Sequence, residues 1–378
     1  MARQGRGLEL RAPEFDADMT KPSVTVLVDT YNHERFIEEA LASVVEQDFA
    51  AAETEILVVD DGSTDRTPEI VRKFEPRVRL IRKANGGQAS AFNAGIPEAR
   101  GEIVAFLDGD DWWARNKLTR VMEAMAADPS VGIVGNGIWI ANRDGTREME
   151  SLREGFRLQA NTVEGARMLR VRGAFLGTSR MTVRRELLRR IGTVPEALRV
   201  EADEYIFTLA AALAAAEILP EALTFYRLHD ANAFQLARSD AAKARQKQRA
   251  LEALAKALDE ELRRHGVEED AVRTVVEIIQ ADADQIRLMT DGGWPWETVR
   301  AEWTIHRARH ADAGFLYRAF KRLTLAAAMA TPPKTFYRIQ RVLAQSGLYR
   351  RARERWLPGP QMEHLEKRMD VSGAKPAE

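Results

Sequence analysis

The sequence predicts an α/β fold: a mostly parallel sheet flanked by helices, followed by an α-helical C-terminal extension. Three observations carry this expectation. Short apolar runs alternate with amphipathic stretches from Val24 to Met125, which is the signature of βαβ units with right-handed crossovers. A polar loop closes each of the first four runs at its carboxyl end. From about Ala241 onward, Ala, Glu, Arg, Lys and Leu recur at helical periods with few turn residues.

Val24 to Val28 is the first strand, broken by Thr30-Tyr31-Asn32, and Phe36, Ile37, Ala40, Leu41, Val44 and Val45 follow at helical spacing. Ile56 to Val59 is the second, ending at Asp60-Asp61-Gly62-Ser63. Thr67-Pro68 opens the next helix, with Thr as N-cap and Pro at the first helical position. Val78 to Ile81 leads through Asn85-Gly86-Gly87-Gln88 into a helix through Phe92 to Ile96. Ile103 to Leu107 is a continuous apolar run, as in a strand buried on both faces, and it stops at Asp108-Gly109-Asp110-Asp111. Leu118, Val121, Met122 and Met125 mark another helix. Ligands of parallel sheets bind beyond the carboxyl ends of the strands, so the four loops are expected to converge on one crevice.

Further along, Val131 to Ile140 resumes a strand pattern, with glycines that suggest a close approach or a bulge. Arg143-Asp144-Gly145-Thr146 is a hairpin-type turn. Glu201-Ala202-Asp203-Glu204 opens an Ala-rich helix, and Leu223 to Leu228 is a last strand-like run before His229. The expected division is a disordered tail over 1–21, an α/β domain over 22–235, a helical extension over 236–370 and a frayed end over 371–378.

The composition narrows the field. A chain of 378 residues can bury a sizeable core. Its formal net charge of -1 gives no global attraction to nucleic acid. The absence of Cys excludes disulfides, thiolate metal sites and a Cys nucleophile, and fits a reducing cytosol. Met1 to Lys21 lacks the apolar core of a signal peptide, and no run reaches the roughly 18 apolar residues of a spanning helix. Phe336 to Trp356 mixes apolar and aromatic residues with many Arg. Such a stripe either packs against a domain or lies on an anionic membrane surface. The expected location is therefore cytoplasmic, with peripheral contact at the inner face of the membrane as a further option.

Asp108, Asp110 and Asp111 place three carboxylates in four positions. They repel one another unless a positive centre lies among them, and a hard divalent cation such as Mn2+ or Mg2+ supplies one. The bland alternative is a solvated acidic turn that caps the next helix, and Asp111 is expected to be such a cap. Gly86-Gly87 puts backbone N–H groups at a helix N-terminus, where anions are favoured, although the spacing is not that of a P-loop.

Val26 to Asn32, Val58 to Asp65, Asn85 to Gly95 and Arg100 to Trp113, in this order and spacing, resemble the family 2 glycosyltransferases, inverting enzymes with the GT-A fold. The resemblance covers about Ser23 to Asn232. It implies transfer from a nucleotide-diphosphate sugar, a UDP-sugar first among them, to a hydroxyl of a saccharide or lipid-linked acceptor. It further implies a role in cell-envelope or exopolysaccharide synthesis, Mn2+ or Mg2+ as cofactor, and no nucleic-acid partner. Thr30, Tyr31, Asn32, Asp60, Gly86, Gly87 and Asp108 would bind the nucleotide sugar. Asp110 would ligate the metal, with Asp108 at the ribose or the metal's water shell, and His229 matches a late His that closes over the diphosphate and would join Asp110 and Asp108 at the metal. The family's acceptor-side Glu-Asp motif maps onto Glu201-Ala202-Asp203-Glu204, with Asp203 as the base and Glu201 and Glu204 as rivals. One of Trp112 and Trp113 would be core and the other would stack on an acceptor sugar. Two departures stand out: Asp29 where Pro is usual, and Phe92 where Arg is frequent. They imply altered nucleotide or loop detail. The alternatives are a metal-dependent nucleotidyltransferase, for which Val28 to His33 lacks the Gly-rich basic loop, and a non-catalytic carbohydrate-binding member.

Overall fold

The computed structural model describes residues 22–143, 145–229, 241–309 and 315–345. The tails expected over 1–21 and 371–378, and the later part of the basic stripe, lie outside the described residues. Strands β1 (Val24–Thr30), β2 (Thr54–Asp60), β3 (Val78–Arg82) and β4 (Ile103–Asp108) pair in parallel in the order β3-β2-β1-β4. They alternate with helices α1 (Ile37–Val45), α2 (Thr67–Arg72) and α3 (Gln88–Gly95). The register sets Thr30 beside Asp60 and Asp29 beside Asp108, so the loop ends meet as the alternation predicts.

Beyond β4 the sheet becomes mixed. β5 (Trp112–Trp113) follows at once, then α4 (Lys117–Ala127), β6 (Val131–Ala141), β7 (Arg147–Glu150) and β8 (Phe156–Leu158). Helix α5 (Val163–Arg172) leads to β9 (Thr182–Arg184), which enters antiparallel between β4 and β6. After α6 (Arg185–Ile191) and α7 (Ala202–Leu213), β10 (Ala215–Arg227) runs parallel to β6 and antiparallel to β5 and β8. β6 and β7 form the hairpin expected at Arg143 to Thr146. The last strand is longer than Leu223 to Leu228: it begins at Ala215, and its register with β6 shifts around Pro220, which has no N–H to give to the ladder.

Strand alternation divides the apolar residues between two layers. Val24, Val26 and Val28 face Ile37, Leu41 and Val44. On the other side Leu27, Val104 and Phe106 belong with Phe92 and with Tyr205, Ile206 and Leu209 of α7. That second layer continues into α8 (Ala241–Arg264) through Leu251, Leu254 and Leu258, and into α9 (Glu269–Thr290) through Val272, Val275 and Ile279. The extension thus packs directly against the helix that begins at the Asp203 segment. Helices α10 (Pro295–Arg309), α11 (Phe315–Met329) and α12 (Pro333–Gln345) follow. On α12, Phe336 and Tyr337 turn inward, whereas Ile339, Val342 and Leu343 are exposed. None of the described helices is long and apolar enough to cross a membrane.

Candidate active site

The end of β4 builds the centre of the crevice. One carboxylate oxygen from each of Asp108, Asp110 and Asp111 lies within 4.8 Å of the others, a grouping that could hold a metal ion. Gly109 makes this turn feasible, because a Cβ there would sit 2.6 Å from Thr30 Oγ1 and 2.9 Å from His33 Nδ1. His229 Nε2 lies 2.8 Å from Asp110 Oδ2, and His33 Nε2 lies 3.9 Å from the same oxygen. Sequence reasoning selected His229 and missed His33, although His33 directly follows the Tyr31-Asn32 turn.

Asp111 is not a helix cap. The chain first enters β5, and α4 starts only after Asn116. The Asp111 carboxylate is buried; it accepts from Ser179 Oγ at 2.6 Å and from the Arg227 backbone N–H at 3.0 Å. Ser179 Oγ also accepts from Asp108 N at 3.1 Å. Ser179 comes from the turn Thr178–Arg180, far away in sequence, and its only signal there is the Gly- and Thr-containing stretch from Gly173 to Ser179.

Charge crowding is severe here. Burial, followed by the charges of Asp29, Asp110, Asp111 and Asp203, raises Asp108 well above the ordinary carboxylate range. Burial and then Asp110 push both Asp29 and Asp111 up to about 8. Burial also opposes ionisation of Asp110, but the His229 contact and the charges of His33 and His229 outweigh it and hold Asp110 below its ordinary value. Asp29 Oδ1 is buried with no hydrogen-bond partner. Carboxylates kept protonated by burial and then by one another's charge, together with imidazole nitrogen, form a donor set that suits a hard divalent cation.

A pH dependence follows. Below about pH 8 the metal-free protein keeps a proton on Asp111, and cation binding must release it. Mn2+ affinity is therefore expected to rise from about pH 6 to about pH 8, with proton release seen by calorimetry in buffers of different ionisation enthalpy. A folded pKa raised above the unfolded value of about 3.9 contributes stability at low pH and loses it as pH climbs through the folded value. The melting temperature in EDTA should accordingly fall over the same interval and recover on adding Mn2+; a flat profile in both media would contradict the assignment.

The nucleotide-side loops are more structural than expected. Asp60 is fully buried, accepts from Ser63 N at 2.8 Å and pairs with Arg82 Nε at 2.7 Å, so it braces its own loop. Gly86 and Gly87 do not offer free amides to a phosphate, because Asp61 takes them at 3.0 Å and 2.7 Å while also pairing with Lys83. Gly87, at φ +86°, is required for another reason: a Cβ would meet the Arg199 backbone at 2.8 Å. Thr30 is buried against His33. Asn32, at φ 56°, ties the first two loops by accepting from Thr64 N at 2.8 Å through its side chain and donating to Ser63 Oγ at 2.9 Å through its backbone. Tyr31 is exposed.

Glu201, Asp203 and Glu204 separate clearly. Glu201 adopts φ 65° and pairs with Lys247 of α8 at 2.9 Å. Glu204 pairs with the buried Arg170, which also meets Asp282 of α9 at 3.3 Å. Asp203 has neither cation. Its Oδ2 accepts from Thr178 N and Oγ1, both at 3.1 Å, and Oδ1 accepts from Glu204 N at 2.9 Å. Burial raises its pKa. Gln88 braces this corner by donating to Thr178 Oγ1 at 2.9 Å and accepting from Ala202 N at 3.1 Å. The Asn85 to Gln88 loop therefore supports the Asp203 segment through Gln88.

Trp113 is core, with Nε1 donating to Ser179 O at 2.8 Å. Trp112 is half-buried, but its ring stacks on Phe225 at 4.9 Å and 2°, and Arg227 Cζ covers it at 4.3 Å. The ring packs on protein and does not stand free for a sugar. Arg227 also donates to Asp110 O at 2.9 Å and pairs with Glu39 at 2.5 Å.

Comparison with known proteins adds to this geometry. Residues 25–192 match the family model described as Glycosyl transferase family 2. An uncharacterized glycosyltransferase of Nostoc sp., alr2836, is 34% identical over 214 residues, which is 55% of this chain and 66% of that protein. The poly(ribitol-phosphate) beta-N-acetylglucosaminyltransferase TarS of Staphylococcus aureus is 41% identical over 92 residues, 23% of this chain and 16% of TarS. The chain thus spans less than two thirds of the length of these relatives. Among solved structures, the mannosyltransferase PcManGT from Pyrobaculum calidifontis, in complex with GDP-Man and Mn2+, is similar at 24% identity and TM-score 0.49, over 89% of this chain and 88% of that one.

Proposed function

The chain carries a glycosyl transferase family 2 domain, and from that premise we propose that it transfers a sugar, with inversion, from a nucleotide-diphosphate donor to an acceptor hydroxyl. The observation that carries this reading is the Thr178-Ser179 turn. Thr178 binds Asp203 while Ser179 binds Asp111 and Asp108, so a candidate base and a candidate metal centre share one support.

In this reading Asp108, Asp110, Asp111 and His229 would hold Mn2+ or Mg2+. An ion held there would supply positive charge against the negative charge that grows on the departing diphosphate. Asp203, oriented by Thr178, takes the proton of the acceptor hydroxyl. The acceptor oxygen then bonds to the anomeric carbon from the face opposite the diphosphate, the carbon–oxygen bond to the diphosphate breaks, and configuration inverts. A UDP-sugar is the first donor to test, with a saccharide or lipid-linked acceptor in envelope or exopolysaccharide synthesis as the setting; among the relatives, TarS is named for transfer of N-acetylglucosamine to poly(ribitol-phosphate).

The test is a scan of nucleotide sugars by thermal shift with and without Mn2+, followed by product analysis of any donor that binds. One donor should raise the melting point in the presence of Mn2+ and yield free nucleoside diphosphate. Release of pyrophosphate would identify a nucleotidyltransferase instead, and no metal-dependent turnover of any donor would favour a non-catalytic role.

A further inference from the structure

Arg180 ends the turn that supports both halves of the crevice, yet none of the chemistry above uses it. The two residues before it bind Asp203 and Asp111, and its own carbonyl accepts from Lys117 Nζ at 3.2 Å, which fixes the turn against the buried Lys117. Its guanidinium is treated differently. Nη1 is buried with no hydrogen-bond partner among the described residues, and the group lies over the Phe175 ring at 5.8 Å. Glu150, Asp111, Tyr226 and Asp203 act on it electrostatically, yet burial still lowers its pKa.

A guanidinium offers five donors in a fixed fork that matches a carboxylate or phosphate, and a buried donor left without an acceptor is costly. The other large cations nearby are engaged: Arg227 with Glu39 and Asp110 O, Arg170 with Glu204 and Asp282, and Lys117 with Asn136. We propose that Arg180 is the anion receptor of the crevice, binding an oxyanion of the reacting pair, either the donor's diphosphate or an acidic group, carboxylate or phosphate, on the acceptor. The inference rests on the transferase reading. Within it, Arg180 belongs to a turn packed against β4, β6 and β10, with Glu150 and Tyr226 among the groups acting on its guanidinium.

The experiment reads binding rather than turnover, so it can fail independently of that reading. The full chain, Arg180→Met and Arg180→Lys are each saturated with Mn2+ and titrated with UDP, and the UDP-loaded proteins are then titrated with D-glucuronate and with inorganic phosphate. Arg180→Met is expected to weaken at least one of these ligands by about tenfold or more, the scale of a charge-assisted hydrogen bond, with Arg180→Lys losing less. Loss confined to UDP assigns the diphosphate. Unchanged UDP binding with loss of glucuronate or phosphate assigns an acidic acceptor. An Arg180→Met protein with parental melting temperature that binds all three like the parent overturns the proposal. Absence of metal-dependent turnover of any donor by the parent would instead refute the transferase reading while leaving these titrations interpretable.

Discussion

Asp203→Asn is expected to lower sugar transfer by about 10²–10⁴-fold, the range of general-base catalysis, while Mn2+-dependent UDP binding stays at its parental strength. Asn keeps the size of the side chain and can still accept from Thr178 N, but it cannot take a proton. The neighbours supply the controls. Glu201 and Glu204 are each neutralised by a cation, Lys247 and Arg170, so Glu201→Gln and Glu204→Gln should affect transfer less than Asp203→Asn and stability more. Near-parental turnover in Asp203→Asn would move the base elsewhere.

Asp110→Ala should be as severe by a different route. It removes the carboxylate that both imidazoles approach, His229 at 2.8 Å and His33 at 3.9 Å. Turnover should fall by about 10²–10³-fold or more, the scale set by loss of one group that stabilises transition-state charge. Mn2+ binding and the Mn2+-dependent part of UDP binding should be lost with it. Because the His229 contact and the charges of His33 and His229 hold Asp110 below its ordinary value, the variant also gives up that contribution, and its melting temperature in EDTA should lie below the parent's. A variant that keeps Mn2+-dependent turnover would show that the ion is held elsewhere.

The parts of this molecule that were legible in the sequence are those written locally. The four strands and their closing loops each occupy one short stretch, and Asp108 to Asp111 lie within a single turn, so their meeting follows from parallel topology alone. What remained hidden depends on distant contacts. Ser179 and Thr178 reach the carboxylates only because β9 inserts next to β4, a pairing that three residues of strand do not announce. The carboxylate that binds the glycine amides is Asp61, not a ligand, and the identical composition of a phosphate loop and a carboxylate-filled loop conceals the difference. Asp111 reads as a helix cap because a two-residue strand between it and α4 has no periodicity to detect. Asp29 was visible as a departure from the family, but only its register with Asp108 shows that it adds a carboxylate to the centre.

Diffraction at the manganese absorption edge, from crystals grown with MnCl2 and UDP, tests the account most directly. An anomalous peak bounded by carboxylate oxygens of Asp108, Asp110 or Asp111, with the UDP phosphates on it and Asp203 across the crevice, is the predicted result. UDP bound away from these residues, or manganese density absent from among them, would contradict it.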